Sequence, residues 1–330
     1  MKVLFIGGTG VISTAVTALA VERGIDLYHL NRGQHSPAPS GVHTLVADVH
    51  QPGAAEQALA GHRFDVVVDW IAYTPEDIER DLALFSGRCG QFIFISSASA
   101  YQKPLSHPII TESTPLHNPY WLYSRNKIAC ENRLLKAYND DAFPVTIVRP
   151  SYTYDRNFPI ALGGGSTFTL IDRLKAGKPI IIHGDGASLW VNTHSEDFAR
   201  GFVGLLGHTQ AIGHAFHITS DEVLTWNQIY ATLADVVGLP ANVVHIASDF
   251  IAQVAPNEGD GLLGDKAHSV IFDNSKIKTF VPGFQCVIPL REGMRRTLAW
   301  FHADPARQRV DPAINATLDR ILTAYGTKTA

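Results

Sequence analysis

The first 150 residues alternate short apolar runs with helix-length amphipathic segments, and few folds tolerate that rhythm. Runs read as strands are KVLFIG (2–7), DLYHLN (26–31), HTLVAD (43–48), FDVVVDWIA (64–72), QFIFISS (91–97) and PVTIVRP (144–150). Segments between them read as helices at 11–24, 54–61, 75–87 and 121–138, the third with Pro at its start, acids in its first turn and Gly at its end. Hydrophobicity in the strands is near-continuous, as in a parallel sheet covered on both faces. The expectation is a doubly wound α/β fold. Beyond Arg149-Pro150 the rhythm loosens, with a strand near 179–186 and helices near 167–178, 195–207, 225–238 and 289–302. Residues 1–155 are expected to form the sheet domain, with a segment near 186–215 returning to it. Residues 156–330 then form a smaller lobe, and a cleft between the two is the expected ligand site.

The first strand runs into FIGGTGVIS. Gly8-x-Gly10-x-x-Ser13 nearly completes a dinucleotide-binding fingerprint, with a strand before it and a helix after it. Small residues let the backbone approach a pyrophosphate at the helix N-terminus, so Gly7, Thr9, Gly10, Val11 and Ile12 are cofactor-binding candidates in a Rossmann-type domain. The next strand ends in Asn31-Arg32, where an NAD-selective site would carry a carboxylate. Arg32 suits a 2′-phosphate, which favours NADP(H) and leaves NAD(H) open.

Bulk properties exclude several classes. Net charge is −4, which gives no basic field for nucleic acid. No apolar run spans a bilayer, and MKVLFIGGTG lacks the long apolar region and cleavage site of a secretory leader. Three scattered cysteines suit reduced thiols. These features predict a cytoplasmic protein with no membrane partner. The 15 histidines include His194, His214 and His217, but none falls in a metal-ligand spacing, and no metal is expected.

These motifs, with FIFISSASAY (92–101), YSRNKIACE (123–131), VRPSYTYD (148–155) and GDGASLWVNTHSED (184–197), resemble the extended short-chain dehydrogenase/reductase superfamily of NAD-dependent sugar epimerases and dehydratases. The resemblance covers nearly the whole chain. It implies that Tyr123 is the catalytic acid/base, with Lys127 one helical turn on lowering its pKa and holding the nicotinamide ribose. Ser97 would hydrogen-bond the substrate oxygen. Asp48 and Val49 would lie at the adenine, Ile71 and Ala72 along the ribose and pyrophosphate, and Pro150 at the nicotinamide. The substrate would be a sugar or sugar-like molecule meeting Ser99, Tyr152 and Trp190, oxidised, reduced or epimerised at a secondary carbinol or keto carbon.

The departures carry information too. The acid pair that dehydratases of this group use is replaced by Ala98 and Ser99. Trp190 stands where an epimerase usually has a diphosphate-binding Arg. Two readings follow: an uncharged sugar stacks on Trp190, or Trp190 is buried and Arg156 or Arg173 binds phosphate. Relatives also imply a homodimer through the helix that carries Tyr123. A competing class is a non-catalytic NAD(P)-sensing regulator or RNA-binding relative, since LFIGGTG…NRG resembles a plant chloroplast RNA-binding branch. A basic cluster at Arg125, Lys127, Arg133 and Lys136 would then matter, and a helix face at a dimer rim is its alternative explanation.

Overall fold

Seven parallel strands run through the centre of the computed structural model, which describes residues 1–34 and 40–329. They are β1 (Lys2–Ile6), β2 (Asp26–Asn31), β3 (Val42–Val46), β4 (Phe64–Asp69), β5 (Cys89–Ile95), β6 (Val145–Pro150) and β7 (Ala215–Ile218). Their spatial order is β7-β6-β5-β4-β1-β2-β3. Strand order reverses between β1 and β4, the switch point at which open α/β sheets bind ligands beyond their strand C-termini. The fold is the expected Rossmann-type sheet.

Two apolar layers enclose it. On one face, Val16 and Ala20 of α1 (Val11–Glu22) pack with Phe198 and Phe202 of a late helix, Ser195–Val203. On the other, Ile78 and Leu82 of α2 (Pro75–Phe85) pack with Cys130 and Leu134 of α3 (Leu122–Asp141). β4 from Val66 and β5 from Gln91 are buried on both faces and therefore need apolar side chains in both directions, which explains their hydrophobic runs.

One strand end differs from expectation. The run FDVVVDWIA stops pairing at Asp69, because the Asp69 carboxylate turns back to accept the N–H groups of Ile71 (2.6 Å) and Ala72 (2.8 Å).

The remaining strands are short. Tyr152–Tyr154, Leu189–His194 and Val223–Thr225 form a three-stranded sheet, and Ile180–His183 pairs with Val243–Ile246. They share a second core around Trp190, Trp226 and Phe301. Among the described residues no helix is long and apolar enough to cross a membrane.

Candidate active site

The turn after β1 is built for close approach. Gly7 and Gly8 have φ of +96° and +95°, and a Cβ on Gly8 would lie 2.7 Å from the His29 ring. His29 is itself fixed beneath the turn by Thr17 (3.0 Å). Ser13, at the fingerprint's third position, is buried, and its Oγ accepts the Gly10 N–H at 2.9 Å. The hydroxyl thus caps the helix that a third glycine would only have let close up. No acid occupies the first turn of α1, so its N-terminus keeps its positive character. Together these residues border a cavity of about 410 Å³ that runs from Gly7–Ser13 past Ile71 and Tyr73 to Ser97, Tyr123, Lys127 and Pro150. A cradle that any Cβ would fill, at a helix N-terminus and the switch point, fits a dinucleotide.

A second mouth joins it at the sheet's far side. Asn31, Arg32, Asp48, Val49 and Ile71 line a cavity of about 530 Å³ with Gly7 and Gly10. Arg32 is exposed there, at the end of β2.

Lys127 is placed by a relay of contacts. Arg80 of α2 donates to Asp69 Oδ2 (3.1 Å), Asp69 holds the Ile71–Ala72 turn, and Lys127 Nζ donates to the Ala72 carbonyl (2.6 Å) and the Ile95 carbonyl (2.8 Å). Ala72 is buried and borders neither cavity, so its part is to anchor Lys127. Lys127 is 1% exposed, with Nζ 4.6 Å from the Tyr73 ring centroid and 5.8 Å from that of Tyr123. Burial lowers its pKa to about 8, with Asp69 opposing.

Tyr123 is half-buried, and burial pushes its pKa up to about 12 with Tyr73 adding to the rise, while a hydrogen bond with Ser97 opposes it. This differs from the lowering expected from Lys127: the ammonium is committed to two carbonyls, and burial dominates. Ser97 Oγ meets Ser99 Oγ at 2.9 Å, and Ser124 donates to Ser99 Oγ at 2.7 Å, giving a row of three hydroxyls. Asn118 Nδ2 secures the same loop through the Ser99 carbonyl (2.9 Å) and reaches the Gly264 carbonyl, distant in the chain (2.7 Å).

Beyond Tyr123 lies another cavity, of about 460 Å³. Ser97, Tyr123, Pro150 and Ser151 border both it and the glycine-turn cavity. Ser99, Tyr152 and Trp190 line it as well. Trp190 is 2% exposed and packs against Trp226, ring centroids 5.1 Å apart, so it is wall rather than an open stacking face. Neither arginine considered for phosphate lines it: Arg173 is tied to Pro179 O, Asn315 and Asp319, and Arg156 lies near the Trp300 ring. Sequence reading missed Trp121, Glu258, Asp265 and Lys266 on this wall, which come from segments without motif character.

The expected basic cluster does not form a patch. Lys127 is buried, Arg133 pairs with Glu79, and Lys136 pairs with Asp140.

Comparison with known proteins identifies the family and the fold. A family model described as "NAD dependent epimerase/dehydratase family" matches residues 3–219. The chain is 24% identical over 291 residues to 2'-dehydrokanamycin reductase of Streptomyces kanamyceticus, covering 86% of this chain and 80% of that one. It is 26% identical over 259 residues to the chloroplast stem-loop binding protein of 41 kDa b of Arabidopsis thaliana, covering 74% and 65%. Among solved structures, UDP-glucuronic acid 4-epimerase from Bacillus cereus in complex with NAD superposes with a TM-score of 0.70 at 18% identity, over 93% of this chain and 100% of the other.

Proposed function

The chain belongs to the NAD-dependent epimerase/dehydratase family of sugar-modifying enzymes, and on that premise we propose that it acts at a secondary carbinol or keto carbon of a sugar-like substrate, with reduction by NADPH as the favoured direction. The observation that carries this reading is Tyr123 on the wall common to two cavities, its proton retained by burial. A phenol with a pKa near 12 is an acid at neutral pH, the state that donates to a carbonyl becoming an alkoxide. Ser97 donates a hydrogen bond to the same oxygen, and Lys127 holds the cofactor ribose from its carbonyl-anchored position. A nicotinamide cofactor, when bound, would supply the hydride. Arg32 at the mouth of the second cavity supports NADP(H) over NAD(H). Ala98 and Ser99, without carboxyl groups, argue against a dehydratase cycle.

The reading includes a cytoplasmic homodimer that pairs through α3, for which sedimentation analysis is the check. The functional test is NADPH oxidation with a panel of keto-sugars, set against NADH. If NAD(H) co-purifies tightly and exchanges slowly, a retained-cofactor epimerase replaces the reductase. If neither nucleotide binds while structured RNA does, the non-catalytic reading replaces both.

A further inference from the structure

Helix Pro256–Gly261 ends in a single π-helical turn, Leu262–Lys266. Such turns are rare and frequent at functional sites, and this one is fixed from several sides. Asn118 holds the Gly264 carbonyl (2.7 Å), His268 the Leu263 carbonyl (2.9 Å), and His183 and Trp226 both hold the Lys266 carbonyl (2.9 and 3.1 Å). A Cβ at Gly264 would sit 2.7 Å from Trp121 Cβ, so the turn rests directly on the segment that leads into Tyr123. It delivers Asp265 and Lys266 to the cavity that Tyr123 borders.

Asp265 is backed by a buried cation. Lys103 is 1% exposed; its Nζ lies 3.6 Å from Asp265 Oδ1 and has no hydrogen-bond partner. Burying an ammonium so poorly satisfied is costly, and Asp265 is the carboxylate set against it. The Asp265 side chain remains 17% exposed on the cavity side of the pair.

The rest of the wall is poorly suited to a diphosphate. Among the described residues no arginine lines it, and its one lining cation, Lys266, lies over the Trp121 and Tyr152 rings, 5.6 and 5.8 Å from their centroids. Glu258 adds a second carboxylate, and the buried Trp190 Nε1 has no partner. Aromatic walls and carboxylate acceptors suit a polyhydroxylated ring better than a polyanion.

We propose that this cavity takes a phosphate-free glycoside and that Asp265, set in place by Lys103 and the π turn, orients it by accepting hydrogen bonds from a hydroxyl or ammonium near the reacting carbon. The assignment rests on the function proposed above and names its substrate class. Calorimetric titration of the NADPH-loaded chain with neamine, maltose and UDP-glucose tests it. Neamine or maltose should bind, the two distinguishing an ammonium donor from a hydroxyl donor. Asp265→Asn should weaken that ligand by at least about tenfold, and Asp265→Glu should recover part of the loss. NADPH affinity, unchanged in both variants, shows that the fold is intact, while Asp265→Asn lowers the melting temperature because Lys103 loses its counter-charge. Binding of UDP-glucose, an affinity that survives Asp265→Asn, or binding of neither glycoside overturns the assignment and leaves the Tyr123 and cofactor reading standing. Failure of the wild-type chain to bind NADPH overturns that reading and this inference with it.

Discussion

Lys127 Nζ lies 2.6 Å from the carbonyl oxygen of Ala72, so this buried cation, 5.8 Å from the Tyr123 ring centroid, is held by the turn whose Ile71 also borders the glycine-turn cavity. Through the Ala72 and Ile95 carbonyls, the C-terminal ends of the neighbouring strands β4 and β5 are thereby tied to α3.

Tyr123→Phe removes the hydroxyl and keeps the ring that packs near Trp121 and Tyr73. Reductase turnover should fall by about 10²–10⁴-fold, while NADPH affinity in a fluorescence titration stays near wild type. A variant with unchanged turnover would remove Tyr123 from the chemistry.

Lys127 links activity and stability to pH. Burial lowers its pKa from 10.5 to about 8, so between those values the unfolded chain keeps a proton that the folded chain has released. This group's cost to stability is full below about 8 and is relieved as pH rises through the window, by at most about 3 kcal/mol. Melting temperatures should show wild type gaining on Lys127→Met across that window. Reductive turnover should decline above about 8 as the ammonium is lost.

Arg32→Ala tests cofactor choice. Loss of a charged partner for the 2′-phosphate should raise the KM for NADPH by about 10–100-fold and leave NADH nearly unchanged. Parallel steady-state curves with both nucleotides decide it; an equal effect on both would return the preference to NAD(H).

Glu131 and Arg149 form a buried bidentate pair at 2.6 and 2.9 Å between α3 and β6. Glu131→Gln leaves the guanidinium without its counter-charge and should cost about 3–5 kcal/mol in urea unfolding. A loss within experimental error would show the pair to be dispensable.

Much of this was legible in the sequence because its signals are local. Gly7–Ser13 and Tyr123–Lys127 each lie within a short stretch of chain, and unbroken apolar runs give the parallel sheet away. The relay Arg80–Asp69–Ala72 was not legible, since an Asp that ends a strand looks like any other polar residue until its oxygens are seen facing back. The wall of the cavity beyond Tyr123 was hidden for a different reason. Asp265 and Lys266 lie some 140 residues beyond Tyr123 in a π turn, which has no periodicity to detect. Trp190 was ambiguous because a tryptophan facing a sugar and one buried against Trp226 have the same sequence signature.

Asn118 bears on how such a protein can change over generations. One amide holds both the loop of Ser97 and Ser99 and the carbonyl of Gly264, where a Cβ would strike Trp121. The two halves are therefore not freely interchangeable parts. A segment around Gly264 inherited from another lineage would have to arrive with glycine at that place, or leave the serine loop without its clasp. New specificities are more easily reached by substitutions within the existing wall than by recombination across it.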